Sequence, residues 1–167
     1  GLIPPSCTGL LGPKYALIRP EFFEEKVAST NHDGIVKNIF IFFGGSDPHN
    51  LTGITLQALS EPELTYLNVN VVIGENNPHK NEIKKLVKYR NLTKLHIQVD
   101  NIASIMANSD LAIGSAGVNT WERICLGIPS LIISFSKNQI IVLEDLIRHG
   151  LVNYLGNIAE IDQATIK

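Results

Sequence analysis

The sequence predicts an α/β domain built on a doubly wound parallel sheet, and three observations predict it. Short apolar runs of the kind found in strands buried on both faces recur along the chain, as in Ile39 to Phe43 and Leu67 to Ile73. Segments with helical apolar spacing lie between them, so that about six strands alternate with helices. Small-residue turns follow two of the strands, at Gly44-Gly45-Ser46-Asp47 and at Gly114-Ser115-Ala116-Gly117. In an open parallel sheet, ligands bind outside the carboxyl ends of the strands, where both turns fall.

Taken in order, Gly1 to Asp33 is punctuated by Pro4-Pro5, Gly9, Gly12-Pro13 and Pro20, and only Phe22 to Ala28 has a helix-like composition. Residues 1–35 therefore read as a connector with a docked segment. Tyr15, Leu17, Ile18, Phe22 and Phe23 are too apolar for a free linker and are expected to lie against the domain or a neighbour. The polar run Ser29 to Gly34 is expected to be a flexible loop. The α/β domain then occupies residues 36–167. Its elements are a strand at Ile39 to Phe43, a helix at Leu51 to Leu59, a strand at Leu67 to Ile73 and a charged helix at His79 to Tyr89. A strand at Lys94 to Val99 and a short helix carrying Ile102, Ile105 and Met106 come next.

The stretch Asn108 to Gln139 reads strand, small-residue turn, helix, strand, polar turn. Asp110 to Ile113 is the strand, Asn119 and Thr120 open the helix, and Gly127-Ile128-Pro129 stops it, because proline cannot extend a helix. Leu131 to Ile133 follows as a buried strand, ending at Ser134, Ser136, Asn138 and Gln139. Ile140 to His149 is a helix stopped by Gly150, Val152 to Leu155 is the last strand, and Ile161 to Lys167 begins a closing helix.

With 167 residues, 44% hydrophobic and 18% charged, the chain holds one domain with a sizeable core. A formal charge of −2 with mixed signs argues against a nucleic-acid surface, which needs a basic stripe. The one basic cluster, Lys80, Lys84, Lys85, Lys88 and Arg90, is interrupted by Asn81 and Glu82 and reads as a solvated helix face. Cys7 and Cys125 form neither a disulfide framework nor a metal spacing, which points to a reducing, cytoplasmic setting. No apolar run approaches the ~20 residues of a membrane span. The five histidines show no metal-ligand spacing, and neither a metal nor a cofactor is expected.

The turn Gly44-Gly45-Ser46-Asp47 can cradle phosphate through backbone N–H groups or serve only as a tight turn. It is neither the GxGxxG dinucleotide fingerprint nor a Walker loop, which weakens redox and nucleotide-hydrolysing readings. Glu122, one turn into its helix, either complements the helix dipole or accepts hydrogen bonds from vicinal ribose hydroxyls while the preceding turn holds a diphosphate. Asn138 and Gln139 either cap the next helix or turn outward to sugar hydroxyls. Trp121 reads as core more readily than as a stacking platform, and His49 has no partner. No catalytic base is evident.

The string SDLAIGSAGVNTWERICLGIPSLIISFSKNQ resembles the C-terminal, nucleotide-binding half of GT-B-fold enzymes such as the peptidoglycan N-acetylglucosaminyltransferase that uses UDP-N-acetylglucosamine. LLGPKYALIRPEF at Leu10 to Phe22, FGGSDPHNLT at Phe43 to Thr52 and TWERICLGIPSL, in that order, are similar to the UDP-2,4-diacetamido-2,4,6-trideoxy-β-L-altropyranose hydrolases of pseudaminic acid biosynthesis. The resemblance implies a Rossmann-like domain. In it Gly44, Gly45 and Ser46 face the pyrophosphate or sugar, and Ser115, Gly117 and Asn119 bind diphosphate. It further implies that Glu122 holds the uridine ribose, that the backbone at Asn101 and Ile102 meets the uracil edge, and that Asn138 and Gln139 reach the sugar.

In that family a histidine thought to act as base lies on an N-terminal domain that this sequence does not include. The chain is therefore expected to be the C-terminal half of a larger protein, with little activity alone. Its expected ligand is UDP or a UDP-sugar, and its expected partner is that N-terminal domain. Donors from two helix N-termini and the glycine turns would stabilise the departing UDP, with water or an acceptor hydroxyl as the attacking group. The competing readings are a glycosyltransferase half and a non-catalytic nucleotide-sugar binding module.

Overall fold

In the computed structural model the described residues are 4, 6–10, 12–28, 34–161 and 163–166. They form a six-stranded sheet of order β3-β2-β1-β4-β5-β6 in which every pairing is parallel. The strands are β1 Asn38–Phe42, β2 Asn68–Ile73, β3 Thr93–Ile97, β4 Leu111–Ser115, β5 Ser130–Ser134 and β6 Asn153–Asn157. The helices are α1 Pro20–Ala28, α2 Leu51–Ala58, α3 Lys80–Tyr89, α4 Ile102–Ala107, α5 Asn119–Leu126, α6 Lys137–Arg148 and α7 Gln163–Ile166. Short 3-10 turns occur at Pro13–Tyr15 and Pro62–Leu64.

Alternation along the strands divides the core in two, because successive side chains of a strand point to opposite faces. Ile39 and Ile41 of β1 pack with Leu51, Leu56, Ile83 and Ile166 under α2, α3 and α7. Phe40 packs the other way, with Phe22, Ile102, Met106 and Leu126 under α1, α4 and α5. Ile132 continues that second face beneath α6, against Leu143, Leu146 and Trp121. Trp121 is thus partly buried against that cluster. The N-terminal segment is anchored by Phe22, which is fully buried, with Ile18 packed at the edge of the same cluster. Tyr15, Leu17 and Phe23 remain exposed, and Leu17 is 90% accessible. The polar run at 29–33 lies outside the described residues.

Several boundaries move for identifiable reasons. Asp110 precedes β4 instead of opening it: its Oδ2 accepts the backbone N–H groups of Lys37 at 2.9 Å and Asn38 at 2.7 Å, tying the starts of β1 and β4 together. β4 continues through Gly114 and Ser115, so the turn after it begins at Ala116. α6 starts at Lys137, three residues earlier than the apolar pattern suggests. β6 runs on to Asn157, with a register shift against Ile132/Ile133 that accompanies Gly156 at φ 135°.

Phe22→Ala removes the largest apolar anchor of α1 and is expected to lower unfolding free energy by about 3 kcal/mol in urea titration. Faster amide exchange in α1 than in β1 or β4 would accompany it.

Candidate functional site

The strand order reverses between β1 and β4, and the two small-residue turns leave these strands side by side. Phe42 of β1 is in register with Gly114 of β4. A cleft of about 270 Å³ opens at the carboxyl ends of β1, β2 and β3, lined by Arg19, Gly45, Gly74, Gln98, Ile102 and Asn119 among others. A neighbouring one of about 210 Å³ is lined by Gly117, Val118, Thr120, Trp121, Gln139 and Leu143. The first turn of α5 separates them, with Asn119 on one side and Thr120 on the other. A larger hollow of about 720 Å³ sits at the opposite edge of the sheet, by Tyr66, Tyr89 and Leu92. Its one buried cation, Arg90, is committed to the carbonyls of Leu59, Leu64 and Leu67.

The first turn is held in shape from both ends. Gly44 adopts φ 94°, a conformation open to glycine at no steric cost. Gly45 accepts the Gly74 N–H at 3.0 Å, and a Cβ on Gly74 would lie 2.7 Å from that carbonyl oxygen. Asp47, also at positive φ, turns its buried carboxylate onto α2, accepting from Leu51 N–H at 3.0 Å and Thr52 N–H at 2.8 Å. Asn50 takes the Gly53 N–H at 3.2 Å. The first-turn donors of α2 are therefore consumed internally, which corrects the expectation that both helix N-termini supply free donors; in α5 the Thr120 and Trp121 N–H groups bond back to Gly117 O at 3.0 Å and Val118 O at 3.1 Å. No side chain caps α5.

Glu122 is the centre of the polar network. The residue is 2% exposed, Oε1 accepts from Arg19 Nε at 2.8 Å, and Oε2 accepts from Asn119 Nδ2. The carboxylate, through its hydrogen bond and its charge, raises the Arg19 pKa above the ordinary value, against the opposing effect of desolvation. Arg19 also stacks on Phe22, its guanidinium carbon 4.9 Å from the ring centroid, and pairs with Glu21 at 3.2 Å. Docking of α1 thus delivers a cation to the cleft.

The remaining expected residues are distributed unevenly. Gly45, Ile102 and Asn119 share the first cleft; Gly117 and Gln139 share the second. Gly44, Ser46 and Asn101 line neither, Asn101 being the exposed residue that opens α4. Ser115 and Glu122 are buried behind the clefts, and Glu122 reaches the first through Arg19 and Asn119. Gln139 Oε1 accepts the Phe135 N–H at 3.0 Å, closing the loop after β5. The side chain of Asn138 lies outside the described residues. His49 stacks near Phe135, ring centroids 5.8 Å apart, and so links the loops after β1 and β5.

Sequence reasoning missed two residues. Arg19 was visible only as a cation breaking an apolar run immediately before a helix-opening proline. Arg123 is fully buried: its Nη2 donates to Ser115 O at 2.8 Å and Thr120 Oγ1 at 2.9 Å. Gly114, read as part of a ligand-approaching turn, is instead the strand position that makes room for it. A Cβ there would lie 2.3 Å from Arg123 Nη1 and 2.5 Å from Phe42 O. Among the described residues, no group of three or more His, Cys, Asp or Glu is placed to hold a metal ion, and no helix is long and apolar enough to cross a membrane.

Residues 38–142 match the glycosyltransferase family 28 C-terminal domain. An uncharacterised protein of Methanocaldococcus jannaschii is 34% identical over 154 residues, which cover 89% of this chain and 32% of that protein. The UDP-2,4-diacetamido-2,4,6-trideoxy-β-L-altropyranose hydrolase of Campylobacter jejuni is 34% identical over 139 residues, 83% of this chain and 48% of that enzyme. The crystal structure of Acinetobacter baumannii MurG superposes with a TM-score of 0.62 at 14% identity, over 98% of this chain and 46% of that one. The chain thus spans less than half the length of each of these proteins.

Gly114→Ala is expected to destabilise the domain by about 2 kcal/mol or more, since both groups it meets are fixed by backbone or burial. Gly127→Ala, where the added Cβ meets open space and only the positive φ opposes it, is expected to cost about 1 kcal/mol in the same denaturation series.

Proposed function

This chain belongs to the glycosyltransferase family 28 C-terminal domain family, a Rossmann-like half of the GT-B fold, and from that premise we propose that it is the UDP-sugar-binding half of a nucleotide-sugar hydrolase. The reaction would release UDP from a UDP-diacetamido-trideoxyhexose in the making of a nonulosonic, pseudaminic-type acid or a surface polysaccharide. The observation that carries the reading is the buried Glu122 carboxylate in the first turn of α5, directly after the Ser115–Gly117 turn and at the point where the strand order reverses. The 34% identity to the Campylobacter jejuni hydrolase favours water as the attacking group.

In this reading the ribose hydroxyls donate to Glu122, taking the place of Arg19 on Oε1, and the released guanidinium turns to the diphosphate within the cleft that it already lines. The uracil edge meets the backbone at Asn101 and Ile102. The diphosphate lies over Gly117 and Asn119, where the uncapped N-terminus of α5 favours negative charge. Gly44, Gly45 and Ser46 close over the pyrophosphate or sugar from the β1 side, and Asn138 and Gln139 approach the sugar from the β5 side.

As the anomeric C–O bond breaks, electron density moves onto the β-phosphate oxygen. Preorganised donors at that oxygen lower the barrier because their interaction strengthens as the charge grows. No side chain of this chain is assigned as the base. That role goes to an N-terminal domain of the parent protein, closing over the sugar. A glycosyltransferase half would use the same leaving-group chemistry with an acceptor hydroxyl in place of water. The match to a glycosyltransferase family 28 domain supports that second reading.

Calorimetric titration tests the site directly. UDP is expected to bind this chain about tenfold more tightly than UMP, ~1.4 kcal/mol, with NAD not competing. Glu122→Ala is expected to weaken UDP about tenfold or more; an unchanged affinity would remove the ribose assignment.

A further inference from the structure

Arg123 is an oddity that the reading above does not use. Its guanidinium is completely buried, and Nε and Nη1 have no hydrogen-bond partner. Among the described residues no carboxylate forms an ion pair with it. Glu122, whose charge acts on it, gives its own oxygens to Arg19 and Asn119. Burial pushes the pKa of Arg123 down to about 10, which leaves the group cationic at neutral pH.

Its location compounds the cost. Helical side chains lean toward the N-terminus, so Arg123 on the second turn of α5 places its guanidinium beneath the first, against Thr120 Oγ1 and Ser115 O. That is the positive end of the helix dipole, where a cation is disfavoured. The same group is wedged between the last paired residues of β1 and β4, beside the Gly114 α-carbon and the Phe42 carbonyl. Desolvation, unmet N–H groups and the dipole all count against this charge in the free protein. The charge and the dipole would be offset together by one event, arrival of an anion at the N-terminus of α5.

We propose that Arg123 is a buried electrostatic positioning residue for the diphosphate, holding under the turn that begins at Ala116 a positive charge that no described carboxylate pairs with and that an anion on that turn offsets. The proposal rests on the assignment of the α5 N-terminus to a nucleoside diphosphate. Arg123 does not touch the ligand. It acts through the low-dielectric interior, where a charge is felt more strongly than in water, and through Ser115 O, which it pins in place. Its contribution therefore scales with ligand charge and leaves the nucleoside portion alone. A purely structural arginine would affect nucleoside and nucleoside diphosphate equally.

The test is the ratio of UDP to uridine affinity, measured by calorimetry on the intact chain and on Arg123→Met, Arg123→Gln and Arg123→Lys, with thermal unfolding of each unliganded protein alongside. Arg123→Met is expected to weaken UDP at least tenfold, to change uridine by less than twofold, and to leave the melting temperature unchanged or raised. Arg123→Lys, which keeps the charge, is expected to retain most of the ratio. If Arg123→Met does not unfold cooperatively, Arg123→Gln against Arg123→Lys carries the same comparison. Equal losses of UDP and uridine, an unchanged ratio, or failure of all three variants to fold would overturn the proposal while leaving the site assignment standing. Absence of UDP binding by the unaltered chain would overturn both.

Discussion

The strand order 3-2-1-4-5-6 is the constraint from which the rest of this structure follows. The chain leaves β1 through α2 on one face of the sheet and leaves β4 through α5 on the other, so the two exits diverge. A gap must open between them, bounded by Phe42 and Gly114. Neither neighbouring backbone can cover it, and polar groups can reach it without crossing the core. Gly45, Asn119, Glu122, Arg19 and Arg123 come from three separate stretches of sequence and meet there for this reason. The asymmetric division of helices, α2, α3 and α7 against α1, α4, α5 and α6, is the packing consequence of the same reversal.

Within that gap the two helix N-termini are treated oppositely. α2 receives a complete set of internal acceptors, two oxygens of Asp47 and one of Asn50, each on a residue with positive φ. Backbone strain of about 1 kcal/mol or more at each such residue is tolerated where it satisfies buried donors. α5 receives no side-chain cap. Its Thr120 and Trp121 N–H groups bond back to Gly117 O and Val118 O, so what α5 lacks is a side-chain acceptor. The Glu122 pair with Arg19 does not fill that role, because it faces sideways into the α1 junction and serves to tie the docked N-terminal segment to α5. Burying Glu122 next to a partly exposed arginine is weak evidence for stability, since desolvation offsets most of the attraction.

The fold was legible because its signals are local and redundant. Five consecutive apolar residues at Ile39 to Phe43 can hardly be anything but a buried strand, and each glycine or proline boundary falls within a few residues of the observed one. Site legibility was lower, for two physical reasons. Side chains that bond backwards, such as Gln139 to the Phe135 N–H or Asp47 to α2, look in sequence like side chains free to meet a ligand. The distinction depends on the direction of a χ angle that composition does not encode. Long-range pairing is the second reason: Arg19 and Glu122 are 103 residues apart, and nothing local at Arg19 announces a carboxylate partner. Glu122 itself was legible because its signal, an acid in the first turn of a helix after a small-residue turn, is local.

Gly114 and Arg123 carry this argument to its limit. Small residues at a strand end have two causes, close approach of a ligand from outside or close approach of a side chain from inside, and the sequence pattern is the same for both. Gly117 sits on the outer side of the turn, exposed, and is available for the first cause. Gly114 is buried in the strand and belongs with the second, since a Cβ there would meet the Arg123 guanidinium as well as the neighbouring Phe42 carbonyl. The two positions nonetheless form one device, for the inner glycine admits a cation to the underside of the turn whose upper side the outer glycine leaves bare. Under the proposed anion site, a side chain at either position would separate the charge from the surface it acts on, in the one case by expelling the guanidinium and in the other by holding the anion away. The pairing of an inner glycine at 114 with an outer one at 117, across Ser115 and Ala116, is thus better read as a thin wall between a buried charge and solvent than as flexibility in a loop.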